Sequence, residues 1–96
     1  MEFNAMIELD VPVALLSDED VDDLLEPIVP HHGSVGCSGN ALVHLTVTVD
    51  AADAAHATQI VHDLLRTSYA DYRVNYVDVL PTSAFDAIFG FGDYFH

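Results

Sequence analysis

Residues 3–13, FNAMIELDVPV, alternate without a break. Phe3, Ala5, Ile7, Leu9, Val11 and Val13 fall on one side, and Asn4, Met6, Glu8 and Asp10 on the other. Period two over this length is the signature of a β-strand buried on one face. A second alternation runs through Ala41, Val43, Leu45, Val47 and Val49, with Leu42, His44, Thr46 and Thr48 between them.

Between and after these strands the period changes. In SDEDVDDLLEPIVP, residues Val21, Leu24, Leu25 and Ile28 recur at helical spacing. Ser17 is placed to cap this helix, with Asp20 three residues on, and acids in its first turn suit the positive end of the helix dipole. Pro27 is expected to kink or fray the last turn and Pro30 to end it. A second helix is expected from about Ala52 to Tyr69, capped by Asp50 or Asp53. Ala54, Ala57, Val61, Leu64 and Leu65 form its inner stripe, and His56, Gln59, Asp63 and Arg66 its outer face. The stretch YRVNYVDVL is rich in β-formers and reads as a last strand stopped by Pro81, with no inner face assignable from its pattern.

The segment GSVGCSGN before the second alternation reads as a hairpin turning at Ser38-Gly39-Asn40. A loop of those residues pairs Cys37 with Ala41, Val35 with Val43 and Gly33 with Leu45. That register puts Cys37 inside, under the helices, and turns His32 and His44 to the opposite face.

The element order is then β-α-β-β-α-β. The expected fold class is α+β, a ferredoxin-like βαββαβ sandwich: a four-stranded antiparallel sheet with two helices on one face, plus an aromatic-rich C-terminal tail. Residues 1–81 form the sandwich. Residues 82–96 form the tail, expected to dock on the sheet or on a partner, and they carry Phe85, Phe89, Phe91, Tyr94 and Phe95. This element order is shared by many unrelated functions and transmits none of them.

Charge restricts the partners. The 96-residue chain has 16 Asp and Glu against two basic residues, Arg66 and Arg73, for a net charge of −14. Phosphate contacts need Lys and Arg, so direct nucleic-acid binding is not expected, and an anionic membrane surface is disfavoured on the same ground. No apolar run approaches the roughly 18–20 residues that span a bilayer. The acidic start lacks the features of a secretory signal, and the lone Cys37 fits a reducing compartment, so the expected location is cytoplasmic. Three roles suit the acid: a solubilising coat, adaptation to a salty cytoplasm, or a surface for basic proteins. Six histidines make the field tunable in mild acid.

The most suggestive chemistry is HHGSVGCSGN with His44 just beyond. A closed zinc site needs paired ligands at short spacing, and the expected register separates Cys37 from His44 by the thickness of the sheet. His32, His44 and Glu8 remain candidates for a divalent cation on the open face. DEDVDD imitates the start of a calcium loop, but Asp23 stands where glycine is required and Val29 where glutamate is required. No phosphate-binding glycine loop or nucleophile-elbow motif is present. Neither catalytic residues nor a cofactor are expected.

The expected function is a small acidic, non-enzymatic protein-interaction module that self-associates. A more specific version is an inhibitor occupying a basic, nucleic-acid-binding surface of another protein, as in phage–host conflict. Partner contact is assigned to Asp18, Glu19, Asp20, Asp22 and Asp23 and to the five aromatics of the tail. Two alternatives stand beside it: a small-molecule or divalent-metal-binding regulatory domain, and a small dimeric enzyme with a cleft on the sheet face.

Overall fold

The computed structural model of the chain describes residues 1–83. The elements follow as β1 (Glu2–Pro12), α1 (Asp18–Leu25), β2 (Ser34–Cys37), β3 (Leu42–Asp50), α2 (Ala54–Ser68) and β4 (Val74–Pro81). Short 3-10 turns cover Val13–Leu15 and Glu26–His31. The four strands form one antiparallel sheet in the order β2-β3-β1-β4. This α+β architecture is compatible with the ferredoxin-like arrangement expected from the element order. The aromatics Phe85, Phe89, Phe91, Tyr94 and Phe95 lie outside the described residues.

The alternation of the two long strands builds the core directly. Phe3, Ala5, Ile7 and Leu9 of β1 and Val43, Leu45, Val47 and Val49 of β3 are buried on one face of the sheet. Leu24 and Ile28 from the first helical segment join the same cluster, with Ala57, Val61 and Leu65 of α2. Both helices therefore cover one face. Tyr69, at the C-terminal cap of α2, is only 2% exposed, and its hydroxyl donates to the carbonyl of Leu24. That bond ties the end of α2 to the end of α1.

The caps follow from local chemistry. Ser17 Oγ accepts from Asp20 N at 3.2 Å while Asp20 Oδ2 accepts from Ser17 N at 3.0 Å, a complete capping box. Asp53, rather than Asp50, caps α2 by accepting from His56 N at 2.8 Å. The helix starts two residues later than expected, and Ala54 is exposed rather than part of the inner stripe. After Leu25 the α-helix tightens into a 3-10 turn that contains Pro27 and Pro30, because prolines remove the donors that a continued α-helix would need. His32 stops it with φ 52°, a left-handed residue. His32 N donates to Val29 O at 3.2 Å and Gly33 N to Ile28 O at 2.8 Å, the two bonds of a Schellman cap. The paired histidines of the sequence are thus first of all a helix stop.

The hairpin differs from the expected register by two residues. Cys37 pairs with Val43, Gly36 with His44, Val35 with Leu45 and Ser34 with Thr46. Ser38 N donates to Leu42 O at 2.8 Å and Ala41 N to Ser38 O at 3.0 Å, so the loop proper is 39–41. Ala41 closes it at φ 59°. A shift of two leaves every side chain on its expected face. Cys37 is nonetheless exposed, contrary to expectation. It ends a four-residue edge strand beyond the cover of the helices, and its Sγ donates to Ser38 O at 3.4 Å.

Candidate functional site

The open face of the sheet carries an unexpected burial. Glu8 is 4% exposed and Asn4 7%, although both belong to the polar side of the β1 alternation. Glu8 lies directly opposite His44 on β3 and opposite Tyr76 on β4. The two rings lean toward each other across β1, with centroids 6.4 Å apart and planes at 53°. Beneath them Glu8 Oε1 accepts from Asn75 Nδ2 at 3.0 Å and Oε2 from Asn40 Nδ2 at 3.3 Å.

Irregular pairing supplies both amides. Between Glu8 and Leu9 the β1–β4 register slips by one, since Glu8 pairs with Tyr76 but Leu9 with Val74. Asn75 is the extra residue of that bulge, and the bulge re-aims its side chain at Glu8. Asn40 arrives from the tip of the hairpin. Farther along, Asn4 Oδ1 accepts from Thr48 Oγ1 at 2.8 Å and Asn4 Nδ2 donates to Thr82 Oγ1 at 3.3 Å.

These contacts set the charge states. Hydrogen bonds, the one from Asn75 foremost, hold the Glu8 carboxyl below its ordinary value despite desolvation, and His44 adds a smaller pull in the same direction. Tyr76 is pushed up by desolvation and by the nearby Glu8 and Asp78. A carboxylate held down in this way is a poor proton acceptor near neutral pH. Its two bonded oxygens suit a structural tie among three strands better than acid–base work.

The divalent set does not assemble. Glu8 and His44 are neighbours, but His32 lies at the Schellman cap, against the Thr48–Asp50 end of β3. Thr48 is four positions along from His44, about 13 Å on a strand. Among the described residues, no three or more His, Cys, Asp or Glu side chains are grouped to hold a metal ion.

The acidic set is displayed as a surface. Asp18, Glu19, Asp20, Asp22 and Asp23 are all exposed on α1, although the Asp20 carboxylate is occupied by the capping box. Exposed apolar side chains, Leu15 and Val29, flank this helix in the chain. Of the two arginines, Arg66 pairs with Asp63 beside Gln59 on the outer face of α2. Little internal cation is left to neutralise α1.

One cavity, not anticipated from the sequence, opens beside β3 just before β2 begins. It measures about 340 Å³ and is lined by Thr48, Val49 and Asp50 of β3, by Pro30, His31 and His32, by Glu2, and by Ile60 of α2. Sequence patterns miss it because it exists only where a short strand fails to cover a long one.

No described helix is long and apolar enough to cross a membrane. Comparison with protein-family models, with curated proteins and with solved structures finds no match to this chain.

Proposed function

We propose that the protein is a non-enzymatic interaction module that binds a basic surface of another protein through α1. The observation that carries this reading is the display of Asp18, Glu19, Asp22 and Asp23 on one short helix, flanked in the chain by exposed Leu15 and Val29, and among the described residues no arginine forms an ion pair with them. Carboxylates of this kind steer a basic partner and fix its orientation. Apolar side chains at their margin supply area that association can remove from water. The ferredoxin-like assignment is part of the same proposal, with the sheet as a rigid base for the helix. Inhibition of a nucleic-acid-binding surface is an extension of this contact, whereas self-association is a separate proposal, since a chain of net charge −14 offers α1 no basic face.

Titration with a small basic nucleic-acid-binding domain tests it. Binding should weaken steeply as salt is raised. It should also fall when Asp18, Asp22 and Asp23 become Asn and Glu19 becomes Gln, with Asp20 kept for its structural role. Affinity that ignores both changes would sink the proposal.

A further inference from the structure

The cavity beside β3 is also an interrupted sheet edge. β2 pairs with β3 only from Val43 to Thr46, and the chain before β2 turns away at His32. Residues 47–50 of β3 therefore continue past their neighbour. Backbone direction along this strand is fixed at both ends. Ala51 N donates to Met1 O at 2.9 Å, toward β1, and Ser38 N donates to Leu42 O at 2.8 Å, on the β2 side. Alternation between these points turns the N–H and C=O groups of Thr48 and Asp50 away from β1 and into the cavity. Among the described residues no backbone or side-chain group bonds to them.

The walls specify what fits. On the open face Glu2 stands directly opposite Asp50. Two carboxylates facing across a ladder repel each other, so a cation placed between them is favoured. An ammonium is already accepted there: the amino group of Met1 donates to Asp50 Oδ1 at 2.8 Å. Val49 and Ile60 give the cavity an apolar side, and Pro30, His31 and His32 also line it.

We infer that the Thr48–Asp50 edge of β3 receives an extended basic segment of a partner protein, which adds to the sheet beyond the start of β2. Main-chain hydrogen bonds to Thr48 and Asp50 hold it, as in other strand additions. Its side chains alternate: Lys or Arg toward Glu2 and Asp50, and an apolar residue toward Val49 and Ile60. A second copy of this chain is the poorer occupant, because it would bring its own Glu2 and Asp50 to a surface already carrying both. The inference rests on the reading of the protein as a binder of basic partners and adds the place and the conformation.

The test uses the full chain, labelled with nitrogen-15, and a hexapeptide of alternating Lys and Val. Two further probes carry N-methyl groups at alternate residues, one in each phase. The parent peptide should bind, shift the Thr48 and Asp50 amides and slow their exchange. One methylated phase should lose about tenfold or more in affinity while the other keeps it, since only one edge of the peptide pairs. Ile60→Lys, at a half-exposed position, should weaken binding to a similar extent without changing the fold by circular dichroism. If both methylated probes bind like the parent and the shifts fall on residues 18–23, the edge is not the site and only the broader reading survives. If no probe binds at low salt, both fail. If the Thr48 and Asp50 amides are already protected and depend on protein concentration, a second copy holds the edge and the inference is overturned.

Discussion

Asn75 donates to the carboxylate of Glu8 at 3.0 Å although it has no partner in the regular ladder. The bulge that creates this contact joins β4 to β1, and Asn40 joins the hairpin tip to the same carboxylate. One buried side chain of β1 is thus tied to β4 and to the tip of the β2–β3 hairpin on the face that the helices leave open.

Glu8→Gln should lower Tm at neutral pH. A carboxylate accepts from both asparagine amides, whereas a glutamine must turn one donor toward another donor. The pH dependence follows from the depressed folded-state value. The stabilisation is complete above the ordinary value of 4.5 and is lost as pH falls through the lower folded one. Thermal melts of both proteins should differ most above that range and converge in stronger acid. A gap that persists unchanged in acid would show that shape rather than charge is at stake.

Tyr69→Phe removes the bond to the Leu24 carbonyl and should cost about 1–2 kcal/mol in urea denaturation. Burial pushes the Tyr69 hydroxyl up from 10.0 to about 12. A raised folded-state value gives stability that is present below the unfolded value and disappears as pH rises toward the folded one. The native protein should therefore lose stability between about pH 10 and 12, and the Phe variant should lose less over the same interval.

Gly33 admits no side chain. A Cβ there would meet the carbonyl oxygen of Ile28 at 2.6 Å and the Ile28 side chain closer still. Gly33→Ala should destabilise the protein by at least about 2 kcal/mol. His32→Gly, one residue earlier, should act in the opposite sense and add about 0.5–1 kcal/mol, since glycine tolerates the left-handed conformation. Denaturant midpoints of the two variants should bracket that of the parent.

Native Cys37 should react with a thiol reagent at nearly the rate of the denatured chain, because its side chain is exposed at the end of β2. Labelling slower by orders of magnitude would place the thiol under cover and contradict the edge position.

The long elements were legible because their periods are clean. Phe3 to Leu9 and Val43 to Val49 announced the buried face of the sheet, and Ser17 with Asp20 announced the start of α1. The inner face of β4 was not legible. Val74 packs inward at an even position and Val77 and Val79 at odd ones, because the Asn75 bulge inverts the phase between them. The hairpin faces were correct but its offset was not, since no pattern signals that Ala41 takes a left-handed conformation. The burial of Glu8 escaped for a different reason. Alternation assigns a polar residue to the outer face but says nothing of two rings from neighbouring strands closing over it. The β3 cavity depends on where β2 begins, a boundary set by the Schellman cap rather than by hydrophobic pattern.

Among the described residues the two non-glycine positions of positive φ, His32 and Ala41, stand on either side of β2. Each holds a conformation that costs an L-residue about 1–2 kcal/mol, and the four-residue strand between them has little buried surface to offset it. Strain at both ends should make β2 the first strand to open, since its release would relax two backbone distortions while breaking one short ladder. Native-state hydrogen exchange would then find β2 opening at lower free energy than β1 or the rest of β3. Each such opening would lengthen the unpaired edge of β3 from Thr48–Asp50 back toward Val43, adding pairing surface that the folded ladder covers.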